Sequence, residues 1–322
     1  MSVLKPIRSF RRKVRPVVTL FCALLSIPHL AVAESPQQCN EKLSSTIYGR
    51  SATSAELAIT NPLGRVDDMI KSREFIDHFA GFVNAQMEWI PDDGGIINNP
   101  VYLAMTRYMF DGGTEKDWAE LFTGNYELHS NGFNTRNQGS GYFSDRVWKR
   151  KYRGNEEDGF KLRTAYLILN NTIGLNLEAL TVNNSGGSGR EARSDPSTVC
   201  YACHYREEFA LDRIANVLPK VNREASDDQN LIESPPPGPT PQTIYGTEVS
   251  SMDELVDSLV TTDEFYTNAC NIAFRFAFGR DERGADKDIF RGCLDSFKAD
   301  GKITTAVRHY INSGIFCPNL EG

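Results

Sequence analysis

Val66-Asp-Asp-Met-Ile-Lys-Ser-Arg-Glu-Phe75 aligns without gaps on Val256-Asp-Ser-Leu-Val-Thr-Thr-Asp-Glu-Phe265, and these two stretches decide the fold class. Around the first copy the apolar series is Val66, Met69, Ile70, then Phe75, Phe79, Phe82, Val83 and Met87. Around the second it is Leu255, Val256, Leu259 and Val260, then Phe265, Ala269, Ile272, Ala273 and Phe276. Steps of three and four lay an apolar stripe along a helix, so each copy predicts two consecutive amphipathic helices. A Ser or Thr stands where an N-cap belongs, acids follow in the next turn, and Phe three residues after the cap enters the core. A fainter copy, Val307-Arg-His-Tyr-Ile-Asn-Ser-Gly-Ile-Phe316, predicts the same boundary without the acids. Duplication and a shared capping grammar explain the echo equally well, and its content is structural.

Val101–Phe110, Asp117–Phe122, Leu162–Ile173 and Glu207–Val217 also carry helical spacing, whereas strand-like alternation is scarce. The expected fold is therefore mostly α. Asn183-Asn-Ser-Gly-Gly-Ser-Gly-Arg190 predicts a flexible loop, and Ser234-Pro-Pro-Pro-Gly-Pro-Thr-Pro241 an extended connector that cannot be helical. These stops divide the chain into helical residues 34–182, a segment 183–233, a Pro-rich connector 234–243 and helical residues 244–322. They are expected to pack together, because a lone segment of about fifty residues buries too little apolar surface.

Residues 1–33 read as an export signal. Lys5, Arg8, Arg11, Arg12, Lys13 and Arg15 precede an apolar run from Val17 to Ala33 that ends in Ala31-Val32-Ala33. Ser26, Pro28 and His29 interrupt the run, which is short for a membrane span, and Cys22 lies inside it rather than after a cleavage point. Cleavage would remove six positive charges and no negative ones, taking the formal net charge from −7 to −13. So acidic a chain is a poor partner for nucleic acid or an anionic membrane and suits a partner protein that is basic at its contact. The expected location is periplasmic or secreted, with no membrane insertion after cleavage.

Between the two helical regions stands Cys200-Tyr-Ala-Cys-His204. C-x-x-C-H is the spacing that attaches a c-type haem. In a helical turn, positions i, i+3 and i+4 share a face, so Cys200 and Cys203 can bind the haem vinyls while His204 supplies the proximal iron ligand. A thioredoxin-like C-x-x-C belongs at a strand end in a βαβ pattern, which the flanks lack. A zinc site needs a second ligand pair that the sequence does not supply. A disulfide across two residues leaves His204 without a role. The expected cofactor is one covalently attached haem c, with iron as its metal.

Seven cysteines, less Cys22 and the haem pair, leave Cys39, Cys270, Cys293 and Cys317. In an oxidising compartment four thiols imply two disulfides; the sequence allows three connectivities, and the expected one pairs Cys270 with Cys293, joining neighbouring helices, and Cys39 with Cys317, tying the two ends. The distal iron position has two candidates, Met252 beyond the connector and His129 in a polar segment read as a loop. Met69, Met87, Met105 and Met109 fall in apolar stripes and read as core, as does His78; His309 falls off its stripe and reads as solvated. Arg206 and Arg213 are close enough in sequence to meet haem propionates, or are ordinary surface charge. Glu156-Glu-Asp158 and Asp281–Asp288 lack calcium-loop alternation and read as solvated faces. Glu207 and Glu208 fall on the proximal side. There is no G-x-S-x-G, no P-loop and no metal-spaced His pair, so no catalytic residue is assigned.

The order of Cys200-x-x-Cys-His204, a connector, a helix at Leu255–Val260, Phe265-Tyr-Thr-Asn-Ala-Cys270 and Phe276-Ala-Phe-Gly-Arg280 resembles the C-terminal modules of planctomycete-type cytochrome c proteins. Asp117-Trp-Ala-Glu-Leu-Phe-Thr-Gly-Asn-Tyr126 is similar to a segment upstream of the haem motif in the same group. The likeness covers residues 65–130 loosely and 198–317 better. It implies an exported mono-haem protein with no defined substrate. The function expected from sequence is single-electron transfer in the periplasm, and the rival is a peroxidase-like or small-molecule-oxidising haem enzyme with an open distal side.

Overall fold

The computed structural model describes residues 34–87, 104, 114–129, 132–135, 139–152, 162–177, 194–198, 201–206, 210–221, 233–236 and 238–318. The expected export signal, the loop 183–190, the acidic run 156–158, Glu207, Glu208 and, apart from Ala104, the predicted helix 101–110 with Met105 and Met109 lie outside these residues. Glu34 to Gly322 form one compact unit.

The described residues are mostly helical. They contain α1 Pro36–Leu43, α2 Ser54–Leu57, α3 Val66–Met69, α4 Arg73–Met87, α5 Glu120–Thr123, α6 Arg146–Tyr152, α7 Leu162–Ile173, α8 Leu211–Val217, α9 Met252–Leu259, α10 Asp263–Phe278, α11 Lys287–Asp300 and α12 Ile303–Ile311. Three antiparallel pairs add little sheet: β1 Tyr126–His129 with β2 Gly132–Thr135, β3 Lys220–Val221 with β4 Glu233–Ser234, and β5 Gln242–Ile244 with β6 Thr247–Val249. The segment of His129, read from sequence as a loop, is thus a strand in which His129 pairs with Gly132.

The two echoed stretches fold alike down to their hydrogen bonds. Ser72 Oγ donates to the Met69 carbonyl at 2.7 Å and accepts from Phe75 N at 3.2 Å. Thr262 Oγ1 donates to the Leu259 carbonyl at 2.8 Å and accepts from Phe265 N at 3.2 Å. Each hydroxyl therefore closes one helix and caps the next, satisfying orphan groups on both. The third copy departs from this pattern. After α12, Ser313 Oγ donates to the Tyr310 carbonyl, but Phe316 N donates to the Ser313 carbonyl in a turn, and among the described residues no helix follows. Pro318 disfavours helical backbone at Cys317, and a disulfide binds Cys317 elsewhere.

α10 is the central element and packs against α4, α7, α11 and α12. On one side Phe276 meets Phe75, Phe79 and Phe82 edge-on, with ring centroids 5.9, 4.9 and 5.3 Å apart. On another, Phe265 meets Phe122, whose ring also touches Trp118, Tyr142 and Phe143. Asn268 donates from Nδ2 to the carbonyls of Asn171 and Thr172 at 3.1 and 3.2 Å, satisfying the end of α7 and fixing it against α10. Gly174 beside it has φ 71°, and a Cβ there would lie 2.7 Å from Asn268 Oδ1.

Gly279 ends α10 in the left-handed conformation, φ 63°. Arg280 then places its guanidinium 5.1 Å from the Phe274 ring and grips Asp286 with two hydrogen bonds of 2.7 and 2.9 Å. Asp286, read from sequence as part of a solvated acidic run, is buried, because Arg280 and the Arg283 N–H satisfy its carboxylate. His309, read from sequence as solvated, is half-buried. Its Nε2 lies 2.8 Å from the Ile289 carbonyl, and Gly292 leaves room for the ring: a Cβ there would be 2.6 Å from Cε1. His78 behaves as a core histidine, with Nδ1 3.3 Å from the Ile47 carbonyl and its ring beside Phe276. Met69 and Met87 are buried in the core.

Disulfides join Cys39 to Cys317 and Cys270 to Cys293. The first ties α1 to the segment after α12, and the second joins α10 to α11. Among the described residues no helix is long and apolar enough to cross a membrane.

Near the N-terminal end, Arg50 holds Glu56 through two bonds of 2.9 and 3.1 Å, and Thr53 N donates to the same carboxylate at 2.7 Å. The Arg50 guanidinium is the main reason that the Glu56 carboxyl is lowered from 4.5 to about 2. A carboxyl held low in the folded chain stabilises it fully above the unfolded value, and that contribution fades as the pH falls through the folded one. Urea midpoints of Glu56→Gln and the parent chain, measured from pH 6 to pH 2, are therefore expected to differ most above about pH 4.5 and to converge toward about pH 2. A gap that is constant with pH would contradict this.

Candidate functional site

Two short elements are described around the C-x-x-C-H motif. Tyr201 opens the first, and Ala202–Arg206 forms a single π-helical turn. The sequence predicted an α turn here; the observed turn is wider, with i→i+5 bonding, a form that recurs at functional sites. Tyr201 and Tyr205 stack on one side of it, ring centroids 5.8 Å apart and planes 13° from parallel. Ala210 then takes an extended backbone, φ −54° and ψ 110°, and α8 begins at Leu211.

α8 falls within the stretch Glu207–Val217 over which the sequence predicts a helix, and it begins at Leu211, after the non-helical Ala210. It packs on α7 and on the β5–β6 ladder through Leu211, Ile214 and Val217, all buried. Among these apolar residues sits Asp212, also buried. Asp212 meets the histidine of the motif: His204 Nδ1 lies 2.7 Å from Asp212 Oδ2. The histidine side chain is 21 % exposed and that of the aspartate 2 %. A carboxylate can only accept, so Nδ1 is the donor. In the neutral ring the lone pair is then on Nε2.

Asp212 is the residue of the candidate site that the sequence did not single out. A signal was present: an acid at a position of α8 otherwise filled by Leu211, Ile214, Ala215 and Val217 requires a buried partner. His204 is eight residues away, too far for neighbours on one continuous helix, and the two residues belong to separate elements, with non-helical Ala210 before α8.

Cys200 and the side chain of Cys203 lie outside the described residues, as does the side chain of His129. Arg206 is exposed and Arg213 half-buried. Met252 is the first residue of α9 and is buried, in the core, where it borders a cavity of about 180 Å³ together with Val217 and Pro219. That volume is below the roughly 300–1,000 Å³ of pockets that enclose a drug-sized ligand. Met252 therefore lies near Val217, the last residue of α8, whereas His204 is bonded to Asp212 at its start. Five residues separate the two positions, about 7.5 Å along the helix axis. Lys149 and Glu233, 2.6 Å apart, close the other side of the cavity.

The residues of the motif suit haem. Two thiols and a histidine are the donor set that a c-type haem requires. The described histidine is half-buried, and its second nitrogen is already engaged by a carboxylate, the arrangement that fixes the tautomer and ring orientation of metal-binding histidines. Among the described residues no three of His, Cys, Asp and Glu come together as a metal-binding group. Comparison with protein-family models, curated proteins and solved structures yields no match.

Proposed function

We propose that this chain is an exported mono-haem c-type cytochrome that carries single electrons in the periplasm. The observation that carries the reading is the His204 ring, presented from the C-x-x-C-H motif with Nδ1 held by buried Asp212 and Nε2 left as the ligand atom. Bound here, haem would supply reversible one-electron chemistry at iron. Cys200 and Cys203 would tether it through thioether bonds, and His204 Nε2 would bind the iron from the proximal side. Met252 and His129 remain the two distal candidates. For Met252, the core position beside a small cavity makes packing the competing role.

Export is supported by the two disulfides, which persist in oxidising compartments, and by the leader-like residues 1–33. The formal charge of −13 that cleavage would leave, derived from −7 by loss of six cations, favours a redox partner protein that is basic at its contact.

The His204–Asp212 pair also favours a second reading, a haem enzyme. A strongly donating proximal ligand assists cleavage of O–O bonds, which suits peroxide chemistry if the distal side is open. One measurement separates the two. Protein matured with a haem-attachment apparatus is expected to give a covalent haem by mass and by its alkaline pyridine spectrum, and a low-spin, six-coordinate ferric spectrum. A sulfur-to-iron band would identify methionine as the distal ligand. A high-spin ferric spectrum that shifts on addition of cyanide would transfer the assignment to the enzyme, and a chain without covalent haem would overturn both.

A further inference from the structure

We propose that Asp212 is a positioning residue that sets how strongly His204 donates to the iron and thereby holds the reduction potential low; the inference rests on the haem reading above. Asp212 Oδ2 accepts the Nδ1 hydrogen of His204 at 2.7 Å, and the aspartate side chain is almost wholly withdrawn from solvent. Two effects follow, and they have the same sign. Pulling the Nδ1 hydrogen toward the carboxylate raises electron density on Nε2, which strengthens its bond to ferric iron more than to ferrous. A carboxylate in a low-dielectric surrounding also favours the redox state carrying one more positive charge, with little screening by water. Both stabilise the oxidised form.

The geometry is built rather than incidental. Leu211, Ile214 and Val217 are buried on either side of Asp212 and anchor α8 in the core, which holds the backbone that carries the carboxylate in place. α8 also packs against the π turn that carries His204, so both partners of the bond sit on elements in contact. The carboxylate thus binds the axial ligand through a fixed element, as the outer partners of metal-binding histidines do.

The test compares the holoproteins of the parent chain, Asp212→Asn and Asp212→Glu. The pyridine spectrum counts covalent haem in each, and a potentiometric titration gives the midpoint. Asp212→Asn is expected to keep its haem and to lose about tenfold in its preference for ferric over ferrous iron. For a one-electron couple that raises the midpoint by about 59 mV. Asp212→Glu, which restores the charge, is expected to return most of the shift, something a merely structural role would not produce. An Asp212→Asn holoprotein with a full haem complement and the parent midpoint overturns the inference while leaving the haem reading intact. Absence of haem from the parent chain is seen at the counting step and overturns both. Should Asp212→Asn fail to fold, proton NMR of the unaltered holoprotein decides instead. The His204 Nδ1 hydrogen is expected to exchange slowly and to lie close to the Asp212 β-hydrogens, and an Nδ1 hydrogen exchanging as fast as that of free histidine overturns the inference.

Discussion

A Cys200→Ala, Cys203→Ala chain, exported beside a haem-attachment apparatus, is expected to carry no covalent haem while keeping its helical content and both disulfides. The loss is all-or-none, because each thioether needs a cysteine sulfur and the variant has none left at the motif. His204 remains, but a single axial bond without a tether leaves the cofactor free to dissociate. The fold is expected to survive because its core is assembled elsewhere. Phe276 with Phe75, Phe79 and Phe82, Phe265 with Phe122, and Asn268 with the end of α7 all belong to helices outside residues 200–206. Intact mass and far-UV circular dichroism report the two halves separately. Haem mass persisting in the variant would sink the assignment of Cys200 and Cys203. Helical signal collapsing along with the haem would mean that the cofactor is a structural part of the core and not only an electron carrier.

The helical architecture was legible because its signals are local. The stripe from Phe75 to Met87 and that from Phe265 to Phe276 follow directly from side-chain spacing, and Ser72 and Thr262 mark their starts through bonds spanning three residues. Leu162–Ile173 was bounded correctly for the same reason. What could not be read depends on where the chain returns to itself. His309 looks solvated on a helical projection, yet it is half-buried and its Nε2 reaches the Ile289 carbonyl on the neighbouring helix, with Gly292 leaving the space. Asp286 looks like one acid in a charged run, but Arg280, already committed to the Phe274 ring, takes it into the interior. Asp212 is the case at the candidate site: it meets His204 from a separate helix, α8, which begins only after the non-helical Ala210. Helical periodicity assumes continuity and therefore conceals such a contact. Cysteine parity works differently. It constrains the count of bonds whatever the path of the chain, which is why the two bridges were within reach of sequence while the histidine's partner was not.

Removing the Cys39–Cys317 bridge is expected to cost more stability than removing Cys270–Cys293, even though both lie in the core. A crosslink acts largely by restricting the unfolded chain, and the restriction grows with the logarithm of the loop it closes. The sequence separations are 278 and 23 residues, which give about 5.5 and about 3.5 kcal/mol in that chain-entropy account. Native contacts at the ends of the chain do not make the long bridge redundant. Lys42 Nζ donates to the Phe316 carbonyl and sits 4.7 Å from the Phe316 ring centroid, and Glu34 N donates to the Pro318 carbonyl at 3.4 Å. These contacts stabilise the folded state with or without the bridge, whereas the bridge limits how far the unfolded ends can separate. Urea unfolding of Cys39→Ala, Cys317→Ala and of Cys270→Ala, Cys293→Ala against the parent chain measures both. The first pair should show the larger drop in midpoint and also a steeper dependence on urea, because an unfolded chain freed of its long loop exposes more surface. If the short-loop variant proved the less stable, packing lost where α10 meets α11 would outweigh loop entropy as the source of disulfide stabilisation here.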